Sequence, residues 1–259
     1  MTDIHLNFLD DAGLCTFTLA VERSGADAVL IGGDIAEAAS LTSILTFLSS
    51  RLDRPIYFVL GNHDYYHGAI DEVQAHVRAL SASDRWLRWL PAVGVVELSS
   101  NAALIGHGGW GDGRLGNLST TPVQLNDFLL IRDLVGTKEH GDEQIARFGD
   151  LAAHHVRDVL TRAAALYRHV VLLTHVPPYR EACWHEGTIS DDDWLPFFTC
   201  KAVGDAINDV MAGHPMCQLT VLCGHTHSGG IARIAPNILV KTGAATYGEP
   251  EIQEVLDLA

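Results

Sequence analysis

The feature that most restricts the fold of this chain is a series of short apolar runs, each broken off by polar residues. Residues 26–31 (ADAVLI), 55–60 (PIYFVL), 170–173 (VVLL) and 219–223 (LTVLC) are almost free of polar side chains. Continuous apolar runs of this length suit strands covered on both faces, as in parallel sheets. Residues 38–51 and 71–80 repeat their apolar positions at helical spacing, which predicts β-α-β-α order and an α/β fold with helices packed on a sheet. Further strands are expected at 93–98, 102–105, 230–234 and 238–241. Several of these follow one another with no helix between them, so a second, partly antiparallel sheet is predicted. Residues 140–167 read as one long helix.

At 259 residues the chain can build one substantial core, and a single domain over 1–259 is the simplest division. The stretch 107–127 is rich in glycine and polar groups and has no period; with the helix after it, 107–167 reads as an insertion over the functional site. The formal net charge of −15 disfavours nucleic acid as a partner, because phosphate backbones call for basic faces. A small anionic ester stays compatible, since bound dications reverse the local field. Five cysteines form no CxxC pair and read as reduced thiols of a cytoplasmic protein. No basic-then-apolar leader and no membrane-spanning run is present, so no membrane role is expected; the oligomeric state is left open.

The polar clusters carry the chemistry. They are Asp3-Ile4-His5, Gly33-Asp34, Gly61-Asn62-His63-Asp64, Thr174-His175, Gly224-His225 and Thr226-His227. Asp34, Asn62, His175 and His225 each fall just beyond a predicted strand, and ligands of open α/β sheets collect beyond the carboxyl ends of strands. Carboxylate, amide and imidazole together fit Mn, Fe, Zn or Co better than Ca or Mg. Taken singly, each histidine is an ordinary structural or surface residue, and Gly-Asp and Gly-Asn are common turn pairs.

As an ordered set, D-x-H, G-D, G-N-H-D, H and G-H-x-H, from Asp3 to His227, resembles the calcineurin-like metallophosphoesterase superfamily. The resemblance implies a four-layer α/β/β/α sandwich of two packed mixed sheets flanked by helices, with a dinuclear metal site at one end. It implies two divalent ions (Mn, Fe or Zn), one held by Asp3, His5, Asp34 and His227, the other by Asp34, Asn62, His175 and His225. Asp34 would bridge them. His63 would protonate or steady the leaving oxygen, and Glu37 would orient His63. The implied reaction is hydrolysis of a small-molecule phosphodiester or phosphomonoester by a metal-bridging hydroxide.

Two departures bear on this expectation. Only Met1 and Thr2 precede Asp3, where the family carries a whole strand; either the first strand is short or the biological start lies upstream of Met1. The stretch after Asp34 (Ile35-Ala36-Glu37) also lacks the arginine of serine/threonine phosphoprotein phosphatases, which makes that alternative less favoured. A non-catalytic scaffold of the same fold is a second alternative, opposed by the complete ligand set, and a nuclease is opposed by the acidic charge. Candidate substrate contacts are His107 and Arg114 in the glycine-rich stretch, with Tyr179 and Arg180 after His175; Trp184 and His185 are weaker candidates for the pocket mouth.

Overall fold

The computed structural model describes residues 1–257. After a 3-10 turn at Leu6–Phe8 come α1 (Asp11–Arg23), β1 (Val29–Gly32), α2 (Ala38–Leu52) and β2 (Ile56–Val59). A second 3-10 turn, His63–Tyr65, leads to α3 (Ile70–Ser83), β3 (Leu87–Trp89), α4 (Leu90–Val93), β4 (Val96–Glu97) and β5 (Ala102–Gly106). Then follow α5 (Asp127–Leu130), α6 (Lys138–Leu166), β6 (His169–Leu173), a third turn at Arg180–Ala182, β7 (Trp184–His185) and β8 (Thr188–Ile189). The chain ends in α7 (Leu195–Phe198), α8 (Lys201–Ala212), β9 (Gln218–Cys223), β10 (Gly230–Ala235) and β11 (Ile238–Thr242).

β1, β2 and β3 form a parallel three-stranded sheet. The larger sheet runs β10-β11-β9-β6-β5-β4, parallel through β11, β9, β6 and β5, with antiparallel strands at both edges. β7 and β8 make a separate hairpin. The period-two alternation of a strand assigns the faces. Leu30, Tyr57 and Val59 point toward Leu104, Val171, Leu173 and Leu222 of the larger sheet and form the layer between the two. Ile31, Ile56 and Phe58 point the other way, onto Phe17, Val21, Leu41, Leu45, Val73 and Val77 of α1, α2 and α3. On the far side, Val170, Leu172, Leu219 and Val221 meet Val156, Val159, Leu160, Val203 and Ile207 of α6 and α8. The order of layers is therefore α/β/β/α.

The helices start where local chemistry allows. Asp10 caps α1 by accepting from Gly13 N at 2.8 Å, and Thr137 caps α6 by accepting from His140 N. α6 exists because Ile145, Ala152, Val156, Val159, Leu160 and Ala163 form one buried stripe. From Ala152 to Ala163 that stripe lies on the outer face of the larger sheet, so this part of the expected insertion is a structural layer, while Ile145 packs into the other helix–sheet cluster. The expected strand at 93–98 shrinks to Val96–Glu97, because Pro91 begins the short α4 just before it.

The first residues are anchored without a long strand. Met1 N donates to Leu30 O at 2.9 Å, and Gly32 N donates to Met1 O at 2.9 Å, so Met1 to Asp3 runs parallel beside β1. Asp3 N and His5 N continue the ladder onto Gly33 O and Asp34 O at 3.0 and 2.9 Å. A groove of about 1100 Å³ opens beside this segment between the sheets, lined by Leu30, Leu173 and Leu222 among others.

Candidate metal centre

Register places the expected ligands. Leu173 is level with Leu222, so His175 and His225 leave β6 and β9 side by side. Gly32 is likewise level with Val59, which sets Asp34 beside the Gly61-Asn62 turn. Asp64 fastens that pairing: its buried carboxylate accepts from Ile35 N, Ala36 N and Gly61 N, each at 2.9 Å. The turns must pass close to the ligands. A Cβ on Gly61 would lie 2.2 Å from Asp34 Oδ1, and one on Gly224 1.9 Å from Asp3 Oδ2. Only glycine fits at either position.

The backbone itself is strained here. Asp3, His5, Asp34, His225 and His227 all have left-handed φ angles of 51°, 39°, 49°, 72° and 57°. Only three other non-glycine residues among those described share that conformation: Asp53, His67 and Glu186. Each such residue costs on the order of 1 kcal/mol or more, and such strain concentrates at functional sites.

The seven residues expected as ligands converge as two groups around Asp34. Asp3, His5, Asp34 and His227 bring one donor atom each within 4.8 Å of one another. His5 Nε2 is 3.3 Å from His227 Nε2 and 3.7 Å from Asp34 Oδ2, and His227 Nε2 is 3.5 Å from Asp3 Oδ1. In the second group His175 Nε2 lies 3.1 Å from Asn62 Oδ1, 3.2 Å from His225 Nδ1 and 3.4 Å from Asp34 Oδ1. The two oxygens of Asp34 thus face different groups. Donors bound about 2.0–2.2 Å from one ion stand roughly 3.0–3.6 Å apart in octahedral or tetrahedral arrangements, and the distances above, 3.1 to 3.7 Å, lie close to that spacing. A cavity of about 10 Å³ lies against Asn62, His175 and His225.

Outer contacts fix which atom of each ligand faces inward. His175 Nδ1 sits 2.9 Å from Gly32 O and His225 Nε2 sits 3.1 Å from Phe197 O. Each of these nitrogens donates to its carbonyl, which leaves His175 Nε2 and His225 Nδ1 as bare acceptors. Asn62 Nδ2 donates to Asp127 Oδ1 at 2.8 Å, so the amide oxygen turns toward His175. Asp3 accepts from Thr2 Oγ1 at 2.5 Å and from His225 N at 3.0 Å.

Electrostatics favour a cation. Burial, then neighbouring histidines, pushes His5 down to about 2, and burial chiefly pushes His175 and His225 down to about 3, so all three imidazoles are neutral. Burial, then Asp3 and Asp64, raises Asp34 well above the usual carboxylate range. Neutral nitrogens gathered around crowded, desolvated carboxylates form a site that divalent ions fit. His63 stands at the open side, 3.9 Å from Asp34 Oδ2 and stacked on Tyr66 at 4.2 Å. Burial, then His225 and His227, lowers it to about 4.

Other expected contacts lie elsewhere. Glu37 faces His67 at 3.9 Å, a surface pair, and does not orient His63; the carboxylate beside His63 is Asp34. Arg114 is held by Asp112 at 3.0 Å and Asp150 at 2.7 Å, while Asp112 takes Ala202 N at the start of α8. His107 accepts from Gly109 N and packs against His155 toward the helical layer. Tyr179 is buried, donating to Asn208 Oδ1 at 3.0 Å, and Arg180 pairs with Asp192 at 2.7 Å. His185 contacts Trp194 and Phe198, and Phe198 packs edge-on against His225. Residues missed at the site include Asp64, Tyr66, Asp127 and Tyr247. Asp64 lay inside a quoted motif without a role, whereas Asp127 opens the four-residue α5 and Tyr247 sits in an irregular segment, both too short of pattern to carry a periodic signal.

Comparison with known proteins agrees with this geometry. A profile of the calcineurin-like phosphoesterase family matches residues 1–229, and the chain belongs to that family. No curated protein is significantly similar to it in sequence. Among solved structures, a phosphopantetheinyl hydrolase from Mycobacterium tuberculosis aligns at 14% identity and TM-score 0.62, over 94% of this chain and 88% of that one. A dimetal phosphatase from Danio rerio aligns at 15% identity and TM-score 0.52, over 88% and 76%. The protein TT1561 of Thermus thermophilus aligns at 14% identity and TM-score 0.52, over 94% and 87%. At these identities the likeness is one of fold.

Proposed function

We propose that the protein hydrolyses a phosphodiester or phosphomonoester of a small molecule, using two divalent ions of the Mn, Fe or Zn type. The observation that carries this reading is the division of Asp34, with Oδ1 toward His175 and Oδ2 toward His5. Asp3, His5 and His227 would complete one ion's shell, and Asn62, His175 and His225 the other's. Bound there, the ions supply Lewis acidity toward a phosphoryl oxygen and make water a nucleophile at neutral pH. His63, neutral and at the open side, holds the leaving ester oxygen by a hydrogen bond as charge develops on it. The Tyr66 stack keeps the His63 ring in place. A cytoplasmic location belongs to the same proposal and rests on five free cysteines; among the described residues, no helix is long and apolar enough to cross a membrane.

The test is reconstitution with Mn, Fe or Zn, followed by assay on phosphomonoesters, cyclic nucleotides, linear diesters and pyrophosphates, with chelator as control. Metal-dependent turnover of at least one class is expected. Asp34→Asn should lose bound metal and activity together. An Asp34→Asn protein that hydrolyses bis(4-nitrophenyl) phosphate at the wild-type rate would overturn the reading.

A further inference from the structure

The segment after β11 returns across the mouth of the metal centre. Ala245 N donates to His227 O at 3.2 Å, and Glu249 N closes a turn onto Thr246 O at 3.1 Å. This brings Tyr247 against the histidines: its ring centre lies 4.5 Å from that of His5, 4.8 Å from His227 and 6.0 Å from His63. Phe8 packs against its other side at 5.2 Å. The ring is clamped, yet the residue is 48% exposed, so its hydroxyl borders the space a substrate must enter. That oxygen is 3.5 Å from His63 Nε2.

A separation of 3.5 Å is at the outer limit for a direct hydrogen bond, and well suited to two groups reaching one third atom. An oxygen about 2.8 Å from each completes an isosceles triangle with ordinary hydrogen-bond lengths. Resting on the phosphoester reading above, we infer that Tyr247 is a further catalytic residue, whose phenolic O–H donates to the same phosphoryl or leaving oxygen that His63 contacts. An ordinary phenol keeps its proton at neutral pH, so the group is a donor. The interaction is a hydrogen bond that strengthens with charge on the ester oxygen, and no proton has to leave Tyr247.

Tyr247→Phe removes only the hydroxyl and keeps the ring packed on His5 and His227. Two measurements on Mn-loaded protein decide the matter: kcat and KM for bis(4-nitrophenyl) phosphate and 4-nitrophenyl phosphate, and calorimetric binding of inorganic phosphate. Expected are unchanged metal content, a kcat about 10- to 100-fold lower with little change in KM, and phosphate affinity about tenfold weaker. Wild-type phosphate affinity in Tyr247→Phe, with kcat within twofold wherever turnover is measurable, would remove the residue from the reaction. If even wild type hydrolyses nothing while binding metal, the phosphoester reading fails by itself. The phosphate titration still decides the Tyr247 contact in that case.

Discussion

At the residue scale, the centre is built from side chains carried on unfavourable backbone. His227 holds φ 57° although nothing in its side chain relieves the crowding of a Cβ in that region. It is half-buried, so its removal leaves little cavity. Metal-free His227→Gly should therefore melt no lower than metal-free wild type, while gaining fewer degrees on adding Mn; differential scanning calorimetry with and without Mn measures both. His63 plays a different part: its backbone N donates to Asp34 Oδ1 at 2.9 Å, but its imidazole stays 3.9 Å from Asp34 Oδ2, at the open side. His63→Ala should cut kcat by about 100-fold or more with metal content unchanged, as read by elemental analysis and steady-state kinetics. Loss of metal in that variant would assign His63 to the ligand shell instead.

At the element scale, strand register does the positioning and the irregular segments add the supports. α5 contributes one group to the centre, the Asp127 carboxylate, which receives both Asn62 Nδ2 and Tyr66 Oη at 2.8 Å. Asp127→Ala should weaken binding of the ion on the Asn62 side roughly 10- to 100-fold and leave the Asp3 side almost untouched, giving two separated steps in a calorimetric Mn titration. The layer between the sheets is the mechanical base. Leu104→Ala should cost about 2–5 kcal/mol, read as a lower denaturant midpoint with unchanged slope. The parts that could be read from sequence follow the same division. β2, β6 and β9 and their ligands were legible because a doubly covered strand is continuously apolar, and polar residues (Gly61-Asn62, Thr174-His175, Gly224-His225) break the run. α1 and α8 were not, since their buried faces are interrupted by Thr18 and Gly204. Asp127, on the one-turn α5, and Tyr247, on irregular chain, reach the centre through tertiary folding, and Glu37 took its expected role from the family resemblance while its side chain turns to His67.

At the scale of the whole molecule, net charge −15 and a cluster of buried carboxylates make the metal-free state the weaker one. Ions present at about a hundredfold excess over Kd add roughly 2.7 kcal/mol per site, so chelation should lower Tm by about 5 °C or more. Acid acts through a second set of groups. Burial, then His155, lowers His107 to about 3. Its folded pKa lies below its unfolded value near 6.5, so its contribution is intact above that pH and is lost as pH falls toward 3. Metal-free protein should therefore lose stability between pH 6.5 and 4, and His107→Asn should flatten that slope, as followed by thermal melts in chelator.

The left-handed ligands also leave a mark on descent. A copy of this gene released from the need to bind ions would relieve backbone strain most cheaply by drift of the half-buried position 227 toward glycine or asparagine. Erosion of that residue in any offshoot would mark the point where the need for ions lapsed.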